Sequence, residues 1–257
     1  MANTYRLTIN KWDVLIIKNI TIFNGSIPQI GYIARTGTKG DEMDMVNYYI
    51  QYIIKQCRRY KKKKLAVFIE PQIETGYPDI VIVEYCEIPA YRWNKNRKQL
   101  SNTDLKILFE IEKAKEITIS QLGNLLGYCE SEIEKSISRL HNASLIKLIG
   151  RKICRVPKSQ YCCVKKVIAI EAKIDKWSEA IRQANNNIWF STESRILLNK
   201  EKCTPVIIDK CIEQGIGVVL VNGKVKKSID GEIRKFPVSY LSLLFNEWVQ
   251  RYLHMEE

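Results

Sequence analysis

Two stretches of sequence decide the fold: Gly76-Tyr77-Pro78-Asp79-Ile80-Val81-Ile82-Val83 and Val167-Ile168-Ala169-Ile170-Glu171-Ala172-Lys173. Each contains a short apolar run without a polar gap, which predicts a strand buried on both faces of a sheet. Side chains alternate across a strand, so Glu171 and Lys173 should point to one face and Ala172 to the other. If the two strands are neighbours in the sheet, Asp79 stands beside Glu171.

This pair of acids has a chemical use. Two carboxylate groups and water suit Mg²⁺, a hard cation that prefers oxygen ligands. Such an ion polarises a phosphodiester and lowers the pKa of a bound water. A lysine on the same face, here Lys173, can orient that water and stabilise charge at the phosphate. The competing interpretation is structural, with Asp79 shaping a turn after Pro78 and with Glu171 and Lys173 forming a surface ion pair.

Strand-like and helix-like patterns alternate on both sides of these stretches. The order predicts one α/β domain, a mixed sheet flanked by helices. The predicted elements are a small β-element within 5–35, a helix from Asp41 that ends in the basic run 58–64, a strand at Leu65–Ile69, a helix from Trp177 to about Phe190, a strand at Arg195–Leu198, a helix at Pro205–Gln214, a strand at Gly217–Val221 followed by a hairpin turn, and a helix at Ser239–Leu253.

The segment between the two stretches has a different character. Residues 87–100 are polar and basic, and three short amphipathic helices and a hairpin follow. This is the order of a winged helix-turn-helix module. We therefore predict an α/β core in two parts, 1–98 and 161–257, with an inserted winged helix at 99–160.

The bulk composition limits the class of partner. The chain has 257 residues and a formal net charge of +13, which favours a polyanion such as nucleic acid or an acidic membrane surface. No apolar segment approaches the roughly 18 residues of a membrane span, and the N-terminus lacks the order of a secretory signal. We expect a cytoplasmic protein whose 8 cysteines are mostly reduced.

The two opening stretches together also carry a family resemblance. The segment 76–83, followed by Ile170-Glu171-Ala172-Lys173, resembles the signature of the PD-(D/E)XK nuclease superfamily, which includes restriction enzymes, Holliday-junction resolvases and repair nucleases. The resemblance covers roughly 41–86 and 164–225. Three further features support it, namely an acid in the first turn of the preceding helix (Glu42), a Gln-Ala step in the following helix (177–184) and a late strand (214–221).

The resemblance implies a restriction-endonuclease-like fold and a role for each matching residue. Asp79 and Glu171 become ligands of Mg²⁺, for which Mn²⁺ could substitute, and Lys173 becomes the catalytic lysine. Glu42 adds a carboxylate to the metal shell or holds a water, unless it is only an acid favoured by the helix dipole. Gln183 orients the lysine or touches a phosphate. Two other acids near Asp79 could replace Glu42, namely Glu70 and Glu74.

The predicted winged helix is ambiguous as a DNA reader. Its third helix begins with acids, which repel phosphate, and the segment holds only slightly more bases than acids. A packing or dimerisation role therefore competes with DNA binding. The candidate DNA contacts are Lys135, Arg139, Arg151 and Lys152.

Together these patterns predict a Mg²⁺-dependent endonuclease that acts on DNA, with duplex DNA favoured by the winged helix. A homodimer is a further expectation, since a double-strand break needs two cuts. A partner protein is expected if the chain is part of a larger system. The alternatives are a non-catalytic winged-helix regulator and an RNA nuclease of the same fold. Restriction, phage defence, a mobile element and repair all stay open as settings.

Overall fold

A computed structural model of the chain describes residues 14–35, 40–59 and 64–255. Its strands are β1 (Val14–Ile17), β2 (Ile20–Phe23), β3 (Lys64–Ile69), β4 (Ile80–Tyr85), β5 (Glu116–Ile117), β6 (Ile146–Ile149), β7 (Lys152–Arg155), β8 (Val164–Lys173), β9 (Glu193–Asn199), β10 (Gly217–Val221) and β11 (Val225–Ile229). Its α-helices are α1 (Asp41–Arg59), α2 (Asn102–Ala114), α3 (Ile119–Leu126), α4 (Glu130–Asn142), α5 (Trp177–Asn187), α6 (Pro205–Glu213) and α7 (Tyr240–Leu253).

An eight-stranded mixed sheet lies at the centre, in the order β1-β2-β3-β4-β8-β9-β10-β11. The strands β4 and β8 are antiparallel neighbours, with Ile80 opposite Ile170. The prediction that these two strands adjoin is therefore confirmed. Their pairing joins the four strands that precede residue 86 to the four that follow residue 163.

Helices cover both faces of the sheet, as the continuous apolar strands require. Helix α1 packs on one face, where Ile80, Ile82 and Ala172 belong to its core. Helix α7 packs on the other face against Val81 and Val83. Helices α5 and α6 cover β9 and β10 on the face opposite α1. The α/β class with a large mixed sheet flanked by helices is thus confirmed.

The segment between β4 and β8 forms a second, smaller layer. Helices α2, α3 and α4 pack around buried leucines and isoleucines, and β5, β7 and β6 form a three-stranded sheet beside them. Side chains of Ser101 and Thr118 cap α2 and α3, and Gly127 ends α3 in the left-handed conformation. Helix α2 also packs against α7, so this layer shares a continuous core with the sheet. The domain limits 1–98, 99–160 and 161–257 stay a prediction.

The two ends of this intervening segment meet at one buried ion pair. The guanidinium of Arg97 donates to Glu247 on α7 at 2.6 and 3.1 Å and to the backbone oxygen of Tyr161 at 3.0 Å. Arg97 and Glu247 are each 1% exposed. A third buried charge, Arg251, donates to the backbone oxygens of Arg97 and Leu100. Helix α7 therefore holds the residues just before and just after the intervening segment.

Several element limits differ from the prediction. Strand β8 continues through Lys173, so Glu171 lies within the strand and not beyond its end. Helix α5 ends at Asn187, and 188–190 form a turn. The N-terminal part of the predicted β-element and Lys61–Lys63 of the basic run lie outside the described residues, as do the side chains of Arg58 and Arg59. Within the described ranges, no helix has the length and apolar character needed to cross a membrane.

Breaking the buried pair should destabilise the protein strongly. We expect Arg97→Met to lower the free energy of unfolding by about 3–5 kcal/mol, because Glu247 is left as an uncompensated buried charge. The double variant Arg97→Met/Glu247→Leu should recover part of that loss, since neither charge then remains buried. Urea unfolding followed by circular dichroism measures both.

The matched control is the ion pair between Lys152 and Glu116, at 2.7 Å, whose side chains are 56% and 57% exposed. Glu116→Gln should change stability by at most about 1 kcal/mol. An Arg97→Met protein as stable as this control would show that the buried pair does not hold the two ends of the intervening segment.

Candidate active site

The acids Asp79 and Glu171 meet where β4 begins and β8 ends. Asp79 lies one residue before the last ladder pair, Ile80 with Ile170, and Glu171 lies one residue after it. The Oδ2 atom of Asp79 accepts a 2.6 Å hydrogen bond from the backbone nitrogen of Ala172. Ala172 belongs to the core on the α1 face, which agrees with the predicted alternation. The register of two strands thus places both carboxyl groups together.

Burial and mutual proximity raise the pKa values of both carboxyl groups. Glu171 is 4% exposed, and burial together with the nearby charge of Asp79 raises the pKa of Glu171 to about 8. Their side chains hydrogen-bond to each other, which requires one of them to be protonated. Burial likewise raises the pKa of Asp79, despite the hydrogen bond from Ala172. A divalent cation would satisfy the same oxygens without the proton.

Lys173 lies two residues beyond Glu171. Its side chain is 13% exposed, and its Nζ lies 3.3 Å from Oε2 of Glu42 in the first turn of α1. Burial by itself would lower the pKa of Lys173, but the charges of Asp79 and Glu42 outweigh it and raise the pKa. The lysine therefore stays charged beside the acids. The structure thus brings together Asp79, Glu171, Lys173 and Glu42.

The candidates for a third acid separate into two groups. The charges of Glu42 and Glu70 both act on Asp79, and the backbone nitrogen of Glu70 bonds to the backbone oxygen of Asp79 at 3.0 Å. Glu74 instead forms an ion pair with Lys106 at 3.2 Å and a hydrogen bond with Tyr240. Glu42 and Glu70 are therefore placed near the acids, while Glu74 faces α2 and α7.

Helix α5 supplies amide groups to the site. Gln183 and Asn187 lie four positions apart, so they share one helix face. The Nδ2 atom of Asn187 donates a 2.6 Å hydrogen bond to Oε1 of Glu171. The Oε1 atom of Gln183 is buried without a hydrogen-bond partner among the described residues, and its role towards Lys173 or a phosphate stays a prediction. The role of Asn187 is absent from the sequence prediction, and its spacing from Gln183 was the available signal.

A cavity of about 140 Å³ opens beside Glu171, lined also by Gln183 and Asn187. The buried oxygen of Gln183 and the carboxyl group of Glu171 supply oxygen atoms to this cavity, and oxygen is the ligand atom that a hard cation prefers. Among the described residues, no group of three or more His, Cys, Asp or Glu could by itself hold a metal ion. A cation bound by Asp79 and Glu171 would therefore need water or substrate oxygens to complete its shell.

The predicted DNA contacts differ in their surroundings. Lys135 and Arg151 are exposed, and Arg151 follows Gly150 in the turn between β6 and β7. Lys152 is exposed and pairs with Glu116. The guanidinium of Arg139, in contrast, forms hydrogen bonds of 2.8 to 3.1 Å with the buried Asp104. Arg139 thus ties α4 to α2, and its contact with DNA stays a prediction.

Comparisons with known proteins return no match: no protein-family model matches the chain, and neither does any curated protein or solved structure. The site is therefore interpreted from its own geometry.

The raised pKa of Glu171 makes stability depend on pH in the absence of divalent cations. The pKa of Glu171 is about 8 in the folded protein and about 4.5 when unfolded, so the folded state binds the proton more tightly. Its contribution to stability is therefore full below about pH 4.5 and is lost as the pH rises towards 8. Glu171→Gln keeps the shape but does not titrate.

We expect the stability of Glu171→Gln relative to the wild type to rise by on the order of 1–3 kcal/mol between pH 5 and pH 8 in EDTA. Denaturant unfolding at the two pH values measures this difference. Glu213→Gln, at an exposed position on α6, is the control and should parallel the wild type. A Glu171→Gln curve that also parallels the wild type would mean that Glu171 holds no raised pKa.

Proposed function

We propose that this protein is a Mg²⁺-dependent DNA endonuclease that hydrolyses phosphodiester bonds. The observation that carries the proposal is the meeting of the half-buried Asp79 and the buried Glu171 at the junction of β4 and β8, with Lys173 beside them. Burying two carboxyl groups against each other is costly for a fold. A site built this way makes physical sense if it serves a cation.

Each residue has a role that follows from its position. Asp79 and Glu171 would hold Mg²⁺, or Mn²⁺ in its place, and the bound ion would polarise the phosphodiester and activate the attacking water. Lys173 keeps its proton, so it can orient that water and offset charge that develops at the phosphate. Asn187 fixes the Glu171 carboxyl group in place through its 2.6 Å hydrogen bond. Glu42 holds Lys173 in the site, with Glu70 as the alternative third acid.

The finer fold assignment belongs to the same proposal. The sheet with α1 on one face and α5 on the other, and the acids at the β4–β8 junction, fit a restriction-endonuclease-like core. The order α2-β5-α3-α4-β6-β7 fits an inserted winged helix, with a three-residue connection that begins at Gly127 between α3 and α4. Lys135, Arg139, Arg151 and Lys152 would then contact DNA phosphates.

Each of the two alternative functions has its own test. A winged-helix regulator would bind DNA and leave plasmid intact with Mg²⁺, and an RNA nuclease would cut RNA in preference to plasmid. The charge of the predicted winged helix does not distinguish these two alternatives, because DNA and RNA are both polyanions. The protein would act in the cytoplasm, and a homodimer would supply the two cuts of a double-strand break, alone or with a partner protein.

The central prediction concerns Lys173. We expect Lys173→Ala to lower the rate of plasmid cleavage by about 10²–10³ while DNA binding stays nearly intact, because one preorganised stabilising group is lost. Asp79→Ala should abolish both Mg²⁺ binding, measured by calorimetry, and cleavage, because a ligand is lost. Supercoiled plasmid, linear DNA and RNA, each with Mg²⁺ or EDTA, provide the activity readout.

The matched control is Lys165→Ala, which removes an exposed lysine from the other end of the same strand. It should cleave at the wild-type rate. If Lys173→Ala also cleaves at that rate, Lys173 and Glu171 are no more than a structural pair, and the nuclease proposal fails.

The predicted wing has its own test. Arg151→Ala with Lys152→Ala should weaken DNA binding and reduce the salt slope of the binding constant by roughly 1.8, at about 0.9 per phosphate contact. Lys226→Ala with Lys227→Ala removes the same charge from exposed positions on β11 and should leave the slope unchanged. Equal slopes for the two double variants would assign the wing a packing role.

A further inference from the structure

Two exposed side chains at the mouth of the Glu171 cavity have no part in the chemistry proposed above. They are Tyr77 and Arg182, and both line the cavity together with Glu171 and Gln183. Tyr77 is 44% exposed, and Arg182 is exposed with no ion pair in the described part of the chain. An aromatic ring and an exposed cation thus flank the entrance to Glu171.

The backbone holds Tyr77 firmly in this position. Ile73 and Gly76 exchange two backbone hydrogen bonds of 3.0 Å, which closes a tight turn just before it. Gly76 has a φ of +133°, a conformation that favours glycine. Pro78 is buried directly after it. The tyrosine ring therefore projects from a rigid turn two residues before Asp79.

The ring of Tyr77 has the surroundings of a stacking platform. The guanidinium carbon of Arg35 lies 6.0 Å from the ring centroid, at the limit of a cation–π contact. Exposed aromatic rings with nearby cations bind nucleic acid by stacking on bases, at about 1–3 kcal/mol for each base. In a continuous duplex the faces of each base are covered by its neighbours, so such a ring can stack only on an unpaired or displaced base.

The cavity itself accepts a smaller group. Its volume of about 140 Å³ is well below the roughly 300–1,000 Å³ of sites that enclose whole small-molecule ligands. A phosphate fits there and a complete nucleotide does not. Arg182 at the rim supplies a cation for that phosphate. The base attached to the phosphate would then lie outside, against Tyr77.

From this arrangement we infer that the substrate is DNA with an unpaired base next to the scissile phosphate, in which Tyr77 stacks on that base and Arg182 binds the phosphate. The inference rests on the proposed function and specifies its substrate. Tyr77 is a specificity residue: it selects unpaired over continuous duplex DNA, while Arg182 binds both.

The test uses two oligonucleotide substrates, a continuous duplex and the same duplex with a central bubble that carries 2-aminopurine. Stacking on a tyrosine ring quenches 2-aminopurine fluorescence, so binding is read without cleavage in the Lys173→Ala background with Mg²⁺. Tyr77→Ala should abolish the quenching and weaken bubble binding by roughly 5- to 150-fold. Tyr77→Phe keeps the ring and should restore both.

A matched control comes from Tyr91, which is 81% exposed and has Arg92 5.5 Å from its ring centroid. Tyr91 follows the opposite end of β4 from Asp79, so Tyr91→Ala should leave quenching and affinity unchanged. Arg182→Ala should weaken bubble and duplex binding equally, with a salt slope lower by about 0.9.

In the cleavage assay with Lys173 intact, the bubble should be cut at least about tenfold faster than the duplex at low substrate concentration. Tyr77→Ala should remove that preference by raising KM while kcat is kept, because the chemical groups remain.

The outcomes separate this inference from the proposed function. If the protein cuts DNA and Tyr77→Ala behaves as Tyr91→Ala does in quenching and in KM, the stacking inference is overturned and the nuclease stands. If no substrate is cut but quenching still depends on Tyr77, the nuclease fails and the binding site stands. Equal cleavage of bubble and duplex by the wild type also overturns the inference.

Discussion

The antiparallel pairing of β4 with β8 is the constraint on which the rest of the structure depends. It joins the two halves of the central sheet across an intervening segment of three helices and a small sheet. The same register, with Ile80 opposite Ile170, places Asp79 beside Glu171. A slip of one residue would move every side chain of one strand to the other face of the sheet. The fold and the candidate site thus rest on one set of hydrogen bonds.

Local patterns predicted most of the elements, because periodicity and capping are properties of adjacent residues. Ser239 before α7 and Gly127 after α3 are examples in which a single residue marks a helix end. Long-range partners were not predictable in this way. Arg139 was predicted as a DNA contact, and its partner in the structure is Asp104, which lies 35 residues earlier in the chain. The sequence shows the charge of Arg139 and not its partner.

The residues of the candidate site also divide into those that local sequence patterns predicted and those that depend on distant packing. Asp79, Glu171 and Lys173 were found because strand alternation fixes their faces, and the structure brings them together. The placement of the third acid depends on how α1 docks on the sheet, so the sequence left Glu42, Glu70 and Glu74 open. Asn187 was missed because an amide in a run of three asparagines has no chemical signature until its helix is docked against Glu171.

The contact of Arg97 with the backbone of Tyr161 has a kinetic consequence. It closes a loop of roughly 60 residues, and β4 and β8 can pair only when that loop is closed. Contacts within the loop, such as Arg139 with Asp104, join residues that are closer in sequence than the strand partners Ile80 and Ile170, and contacts closer in sequence form faster. Once they have formed, the two ends of the loop are already near each other. We therefore expect the intervening segment to speed the pairing of β4 with β8.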